Sequence, residues 1–145
     1  MSEPAQNFEN HGKFVRGYHG VATSLLVFPT LYFAFLAASN FSLERLAFFL
    51  FCVGVVIAAL YSRLFPIGVQ DRVIRLEERL RMEHLLPEDL RGRIPEFTAA
   101  QLIGLRFASD KELPDLARRV LDEGISDRSE IKRAVQDWRA DHQRI

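Results

Sequence analysis

The side chains in this 145-residue chain best suited to chemistry are four histidines, one cysteine and an Asp-His pair near the end. None of His11, His19, His84 and His142 stands three or four residues from another His or from Cys52, the spacing at which a helix offers two ligands to one metal ion. No metal and no cofactor is expected. Asp141 precedes His142, and an acid that orients an imidazole is half of a nucleophilic triad. Adjacent helical residues nevertheless point about a hundred degrees apart, and no G-x-S-x-G nucleophile motif accompanies the pair. That tail reads as charged pairing around Trp138. Arg106, between Leu105 and Phe107, reads as a paired, snorkelling side chain and not as an anion receptor. Cys52 reads as a small packing residue. With no Gly-rich phosphate loop either, no enzymatic activity is expected and no residue is assigned a catalytic role.

The elements that would have to position such residues are dominated by two apolar stretches, 20–38 and 46–62, neither containing a charge. At about 1.5 Å of rise per residue the first reaches roughly 28 Å, close to the roughly 30 Å hydrocarbon thickness of a bilayer. In hydrocarbon each backbone amide must find its partner within the segment, so both should be helices. The short hinge between them, Ser39 to Arg45, makes them an antiparallel hairpin. Lys13 and Arg16 precede the first span and Arg63, Arg72, Arg75, Arg79 and Arg81 follow the second, which places both termini in the cytoplasm. A cleaved leader ending near Ala38 fits less well, because acidic residues lie in the preceding segment and a second span follows at once. The expected organisation is a cytoplasmic segment over 1–19, a transmembrane hairpin over 20–62 and a helical cytoplasmic domain over 63–145.

Pro29 interrupts the hydrogen-bond ladder of the first span at the carbonyl of Leu25, where Thr23, Ser24 and Thr30 are placed to help. Small residues recur every four positions as Thr30, Ala34 and Ala38 and as Gly54, Ala58 and Ser62. They are candidates for close helix packing, within the hairpin or between copies. Phe14, Tyr18, Phe41, Tyr61 and Phe65 gather at the span ends as interfacial anchors. No ionisable residue interrupts either span, so the usual mark of an ion pathway is missing.

Beyond the second span, Val69, Val73, Leu76 and Leu80 follow spacings of four, three and four, giving an amphipathic helix with one apolar seam about two heptads long. The seam is expected to pack on the helices that follow; pairing with another copy and lying on the bilayer are its alternatives. Pro87, Glu88 and Asp89 open a short helix to about Arg93. Thr98 with Gln101, and Ser109 with Glu112, form capping-box patterns, and Gly124 supplies a stop. Asp127 with Glu130 opens a last helix carrying Ile131, Ala134, Val135 and Trp138 on one side. No strand signal appears, so the fold class is all-α: a two-helix transmembrane hairpin followed by a small helical cytoplasmic domain. From Arg63 to Ile145 sixteen Lys or Arg balance sixteen Asp or Glu, with no basic run interleaved with aromatics. Nucleic acid is not an expected partner.

The segment Gln6, Asn7, Phe8, Glu9, Asn10 and His11, with Tyr18 and His19 after it, carries a resemblance. So do Gln70 through Glu77, Gln101 through Asp110, and Ile131, Lys132, Trp138, Asp141, His142 and Arg144. On these residues the chain is similar to a family of small bacterial inner-membrane proteins of unknown function. The resemblance implies a multi-pass protein of the bacterial inner membrane with a helical cytoplasmic tail, and it carries no catalytic residues. Where this chain has Gly104, relatives are expected to have alanine, at slight cost to the helix here.

The functional expectation is a membrane-anchored interaction or assembly protein. Its interaction surface would comprise Val69, Val73, Leu76, Leu80 and Trp138, meeting a protein partner or another copy, while Arg63, Arg72, Arg75 and Arg79 touch lipid headgroups. One alternative is a subunit of an oligomeric channel or a transporter accessory. Another is a membrane-bound metal-dependent enzyme, which requires the fold to bring His11, His19 or His142 together with an acid.

Overall fold

The structure is a computed structural model that describes residues 6–10, 12 and 14–141. Among them the regular elements are all helical, and one isolated antiparallel bridge joins Ala108 to Trp138. They divide into two compact units, one of residues 14–67 and one that joins residues 6–10 and 12 to 68–141.

In the first unit a π-helical turn, Gly17–Ala22, leads into α1 (Thr23–Ser39). The hydroxyl of Thr23 donates to the Tyr18 carbonyl at 2.9 Å, bridging the widened turn. Pro29 lies inside α1, and Thr30 donates to Leu26 at 2.7 Å, one residue past the carbonyl that the proline deprives of its donor. The hinge is shorter than the seven residues expected. Ser42 accepts from the Arg45 amide and the Ser42 carbonyl from Leu46, so α2 (Leu43–Leu85) starts inside the expected loop. Pro66 is accommodated within α2, so the amphipathic stretch and the second apolar stretch are one helix.

Gly17–Ser39 and Leu43–Leu85 are both long and apolar enough to cross a membrane, and their most apolar windows bury nothing within the protein. Contacts between the two arms are few and specific: Phe33 stacks on Phe48 at 5.2 Å, and the Tyr18 hydroxyl donates to the Ala59 carbonyl at 3.2 Å. Of the small residues, Thr30 and Ala34 are half-buried, whereas Ala38, Gly54 and Ala58 are exposed. A Cβ added at Gly54 would meet open space, so the arms do not approach closely there.

The second unit has a genuine core. The end of α2 is joined by α3 (Glu88–Arg91), a 3-10 turn at Ile94–Glu96, α4 (Ala99–Leu105), α5 (Leu113–Asp122) and α6 (Arg128–Ala134). Met82, Leu86, Leu90, Leu102, Leu105, Phe107, Leu113, Val120 and Ile131 fill its centre. The capping box forms as expected at α4: Thr98 accepts from the Gln101 amide while Gln101 accepts from the Thr98 amide. Buried Gln101 also donates to the Ile125 carbonyl, tying α4 to the chain after α5. Gly124 takes φ +65°, and the amides of Ile125 and Gly124 donate back to Val120 and Leu121, a paired closure that only a residue at ease with positive φ permits.

Three local expectations are corrected. Ser109 accepts from the Glu112 amide, but the Glu112 carboxylate does not return to it. It accepts instead from the amides of Gln136 and Asp137, both at 2.8 Å, and so joins α5 to the segment after α6. The last helix ends at Ala134: Val135 is extended, and Trp138 lies in the bridge opposite Ala108, not on the helix. Gly104 is not a casual departure from alanine, because a Cβ there would lie 2.9 Å from Ile131 Cβ and Cγ2 on α6. Its missing side chain is what lets the two helices close.

Candidate functional site

The stretch of α2 after Gly68 has two faces of different chemistry. Ile74, Glu78 and Met82, at successive four-residue steps, are buried. Because 3.6 residues complete a turn, these positions lie on the side roughly opposite Val69, Val73, Leu76 and Leu80. The buried stripe has a carboxylate at its middle, which explains why apolar periodicity passed it over in favour of the uniformly apolar seam.

Glu78 is only 4% exposed. A buried carboxylate is tolerated when its oxygens are matched, and here Arg81 donates to one at 3.0 Å and Arg139 to the other at 3.3 Å. The Arg81 guanidinium also donates to Asp110 at 2.9 and 2.6 Å and to the Ala108 carbonyl at 2.7 Å. One guanidinium thus spans α2 and the turn after α4, using the fork geometry that lysine lacks. Arg106, 7% exposed, meets Asp141 at 3.4 Å and stacks 4.5 Å over the Phe107 ring. The expected pairing is present, but the side chain is buried and does not carry its head into solvent. Glu78, Arg81, Arg106, Arg139 and Asp141 line a cleft of about 760 Å³ that also includes Gln70 and Glu77.

The N-terminal segment reaches the same region. Asp141 donates its amide to the Gln6 side-chain oxygen at 2.8 Å, and Gln6 Nε2 returns a longer bond to the Asp141 carbonyl. Asn7 accepts from Glu9 and Asn10 while donating its own amide to the Asn10 side chain, closing a compact turn. Arg133 lies 5.0 Å from the Phe8 ring. Hydrogen-bonding residues at 6–10 therefore serve packing onto this unit. With arginines facing carboxylates, the cleft is suited to locking the N-terminal segment and residues 138–141 onto α2.

His11 and His142 lie outside the described residues, as do Lys13 and Arg144. His84 is exposed, and the Asp141 carboxylate engages Arg106. His19 stacks on Phe14 at 4.8 Å, with Nδ1 3.1 Å from both the amide and the carbonyl of Val15. Among the described residues no three His, Cys, Asp or Glu side chains converge where an ion could be held.

On the opposite face Val69, Val73, Leu76 and Leu80 are 61%, 47%, 61% and 49% exposed. They do not pack on the following helices, whose core already has Met82. Arg72 and Arg75 flank them in solvent and Arg79 is half-buried, together framing a shallow groove of about 420 Å³. Trp138 does not share this surface: it is half-buried against the core, tilted over Phe107 at 4.9 Å, with Nε1 donating to the Val135 carbonyl. Arg63 belongs to the other unit, 5.7 Å over the Tyr18 ring.

Sequence reasoning missed Glu78, Arg81, Asp110 and Arg139 as one network and Gln6 as the residue that holds the Asp141 backbone. Ile74 and Met82 flanking Glu78 at four-residue steps were the available signal, since a charge on an otherwise apolar stripe asks for a buried counter-charge.

No curated protein and no solved structure matches the chain. A family of unknown function (DUF6526) matches over residues 1–145, the full length, and the chain belongs to that family.

Proposed function

We propose that this protein is a membrane-anchored docking module of the bacterial inner membrane, without enzymatic activity. The hairpin fixes it in the bilayer with both termini in the cytoplasm, and the helical unit presents the Val69 to Leu80 face of α2 to a protein partner. The observation that carries the reading is that face: four large apolar side chains in a row on a helix whose other side is already committed to a core. A patch of this kind on a folded surface is ordinarily covered in use.

Membrane insertion is supported by the exposed arms. Leu25, Phe28, Leu31, Phe35, Phe51 and Leu60 each leave more than half of their surface uncovered. At about 1.5 to 3 kcal/mol for each large apolar side chain left fully in water, leaving these six uncovered costs on the order of 10 kcal/mol relative to an apolar surrounding. Lipid removes that cost. The arginines after the second span support the cytoplasmic orientation, and Arg72 and Arg75 stand where anionic headgroups would attract them.

The test is gentle solubilisation of the full chain from bacterial membranes, comparing wild type with Leu76→Glu. Carbonate-resistant membrane association for both, with a co-purifying protein kept by the wild type and lost by the variant, is the expected result. Extraction by carbonate, or a partner retained by Leu76→Glu, contradicts it.

A further inference from the structure

We propose that the occupant of the Val69 to Leu80 seam is the same seam of a second copy of this chain, the two α2 segments pairing side by side in parallel; this rests on the docking reading above. Written as heptads, Val73 and Leu80 take position a and Val69 and Leu76 position d, so Arg72 and Arg79 fall at g and Gln70 and Glu77 at e. β-branched Val73 at a with Leu76 at d is the combination that favours two strands.

The flanking charges choose the orientation. In a parallel pair each g residue faces the e residue five positions on in the other helix, so Arg72 of one copy meets Glu77 of the second, and by symmetry this happens twice. Among the described residues neither makes an ion pair within the chain, which leaves both side chains for this contact. The next pair in the series, Arg79 against His84, adds no opposite charge. An antiparallel pair would instead set Arg72 and Arg79 of one helix against those of the other. Two copies inserted in one membrane with the same topology also present these helices parallel. Their confinement raises the effective concentration, so a seam of about two heptads suffices where it would be too short in free solution.

The experiment uses the full chain, with Cys52→Ser, in vesicles of phosphatidylethanolamine and phosphatidylglycerol. Single cysteines replace Val69, Val73, Leu76 or Leu80 on the seam and Asp71 or Arg75 off it. Disulfide dimers are expected at the four seam positions, at least about five-fold more abundant than at the two others. Arg72→Glu and Glu77→Arg are each expected to lower the dimer several-fold, and together to restore it. Equal cross-linking at all six positions, or a double variant no better than the singles, overturns the proposal. So does a monomeric mass with a fluorophore attached at Leu76→Cys quenched by brominated lipid, which would assign the face to the bilayer. A mass of one chain plus a different polypeptide, lost on Leu76→Glu, refutes self-pairing and leaves the docking reading intact; no partner of any kind refutes both.

Discussion

Two faces of one helical segment carry the main lesson of this protein. The face that looks like a core contribution, Val69, Val73, Leu76 and Leu80, is exposed, whereas the face interrupted by a charge, Ile74, Glu78 and Met82, is buried. Apolar character alone does not say which side of an amphipathic helix meets its own domain. The decision falls to complementarity: Arg81 and Arg139 are placed to satisfy Glu78, and Met82 fits among Leu86, Phe107 and their neighbours.

Substitutions on the two faces separate them most sharply. Met82→Ala deletes a side chain with no solvent exposure and is expected to destabilise the helical unit by about 2 to 5 kcal/mol, whereas Leu76→Ala is expected to stay within about 0.5 kcal/mol. Denaturant unfolding of the solubilised chain, followed by Trp138 fluorescence, measures both; similar losses would erase the distinction. Next in size is Glu78→Ala, expected to cost about 2 kcal/mol through two charge-assisted hydrogen bonds, with Arg81 still held by Asp110. A neutral result in the same unfolding assay would make the network ornamental.

Gly104→Ala tests the packing of α4 on α6 by sign. Helix propensity alone predicts a gain of about 1 kcal/mol. The 2.9 Å approach to Ile131 Cβ, an atom tied to its backbone, predicts instead a net loss of about 1 to 3 kcal/mol, because α6 must move away. A raised melting temperature would refute the close approach.

The smallest effect belongs to the rim. Arg118 hydrogen-bonds the Asp89 carboxylate and holds its pKa below the ordinary value. A carboxyl whose folded pKa is depressed contributes stability above its unfolded pKa, and that contribution is lost as pH falls through the folded value. The melting temperatures of wild type and Asp89→Asn should therefore differ slightly near neutrality and converge in acid below the ordinary carboxylate range. A gap that persists there would point to a cause other than this pair.

Local grammar was legible where one residue decides an outcome. Thr98 with Gln101 and Gly124 with its left-handed backbone mark boundaries that the fold respects, and the uncharged stretches announce two helices able to cross a membrane. Expectations failed where a residue had a distant suitor. Glu112 looked like a capping-box partner but is drawn to the amides of residues 136 and 137, which no local pattern reveals. Trp138 kept helical spacing from Ile131 and Val135, yet the bridge to Ala108 and the ring of Phe107 draw it off the helix. Gly104 carried no signal of a packing role because Ile131, for which it makes room, lies far along the chain on α6. The Glu78 network unites residues from positions 78 to 139, so its members became recognisable only once the chain had closed.

On the proposed reading, the Val69 to Leu80 face is kept clear for docking while the helical unit stands without it. Native mass measurement of the full chain released from lipid, wild type beside Leu76→Glu, tests it most directly. An assembly heavier than one chain that falls to a single chain in the variant, with the helical unit still folded, is the expected result; the same mass for both proteins would rule out docking through this face.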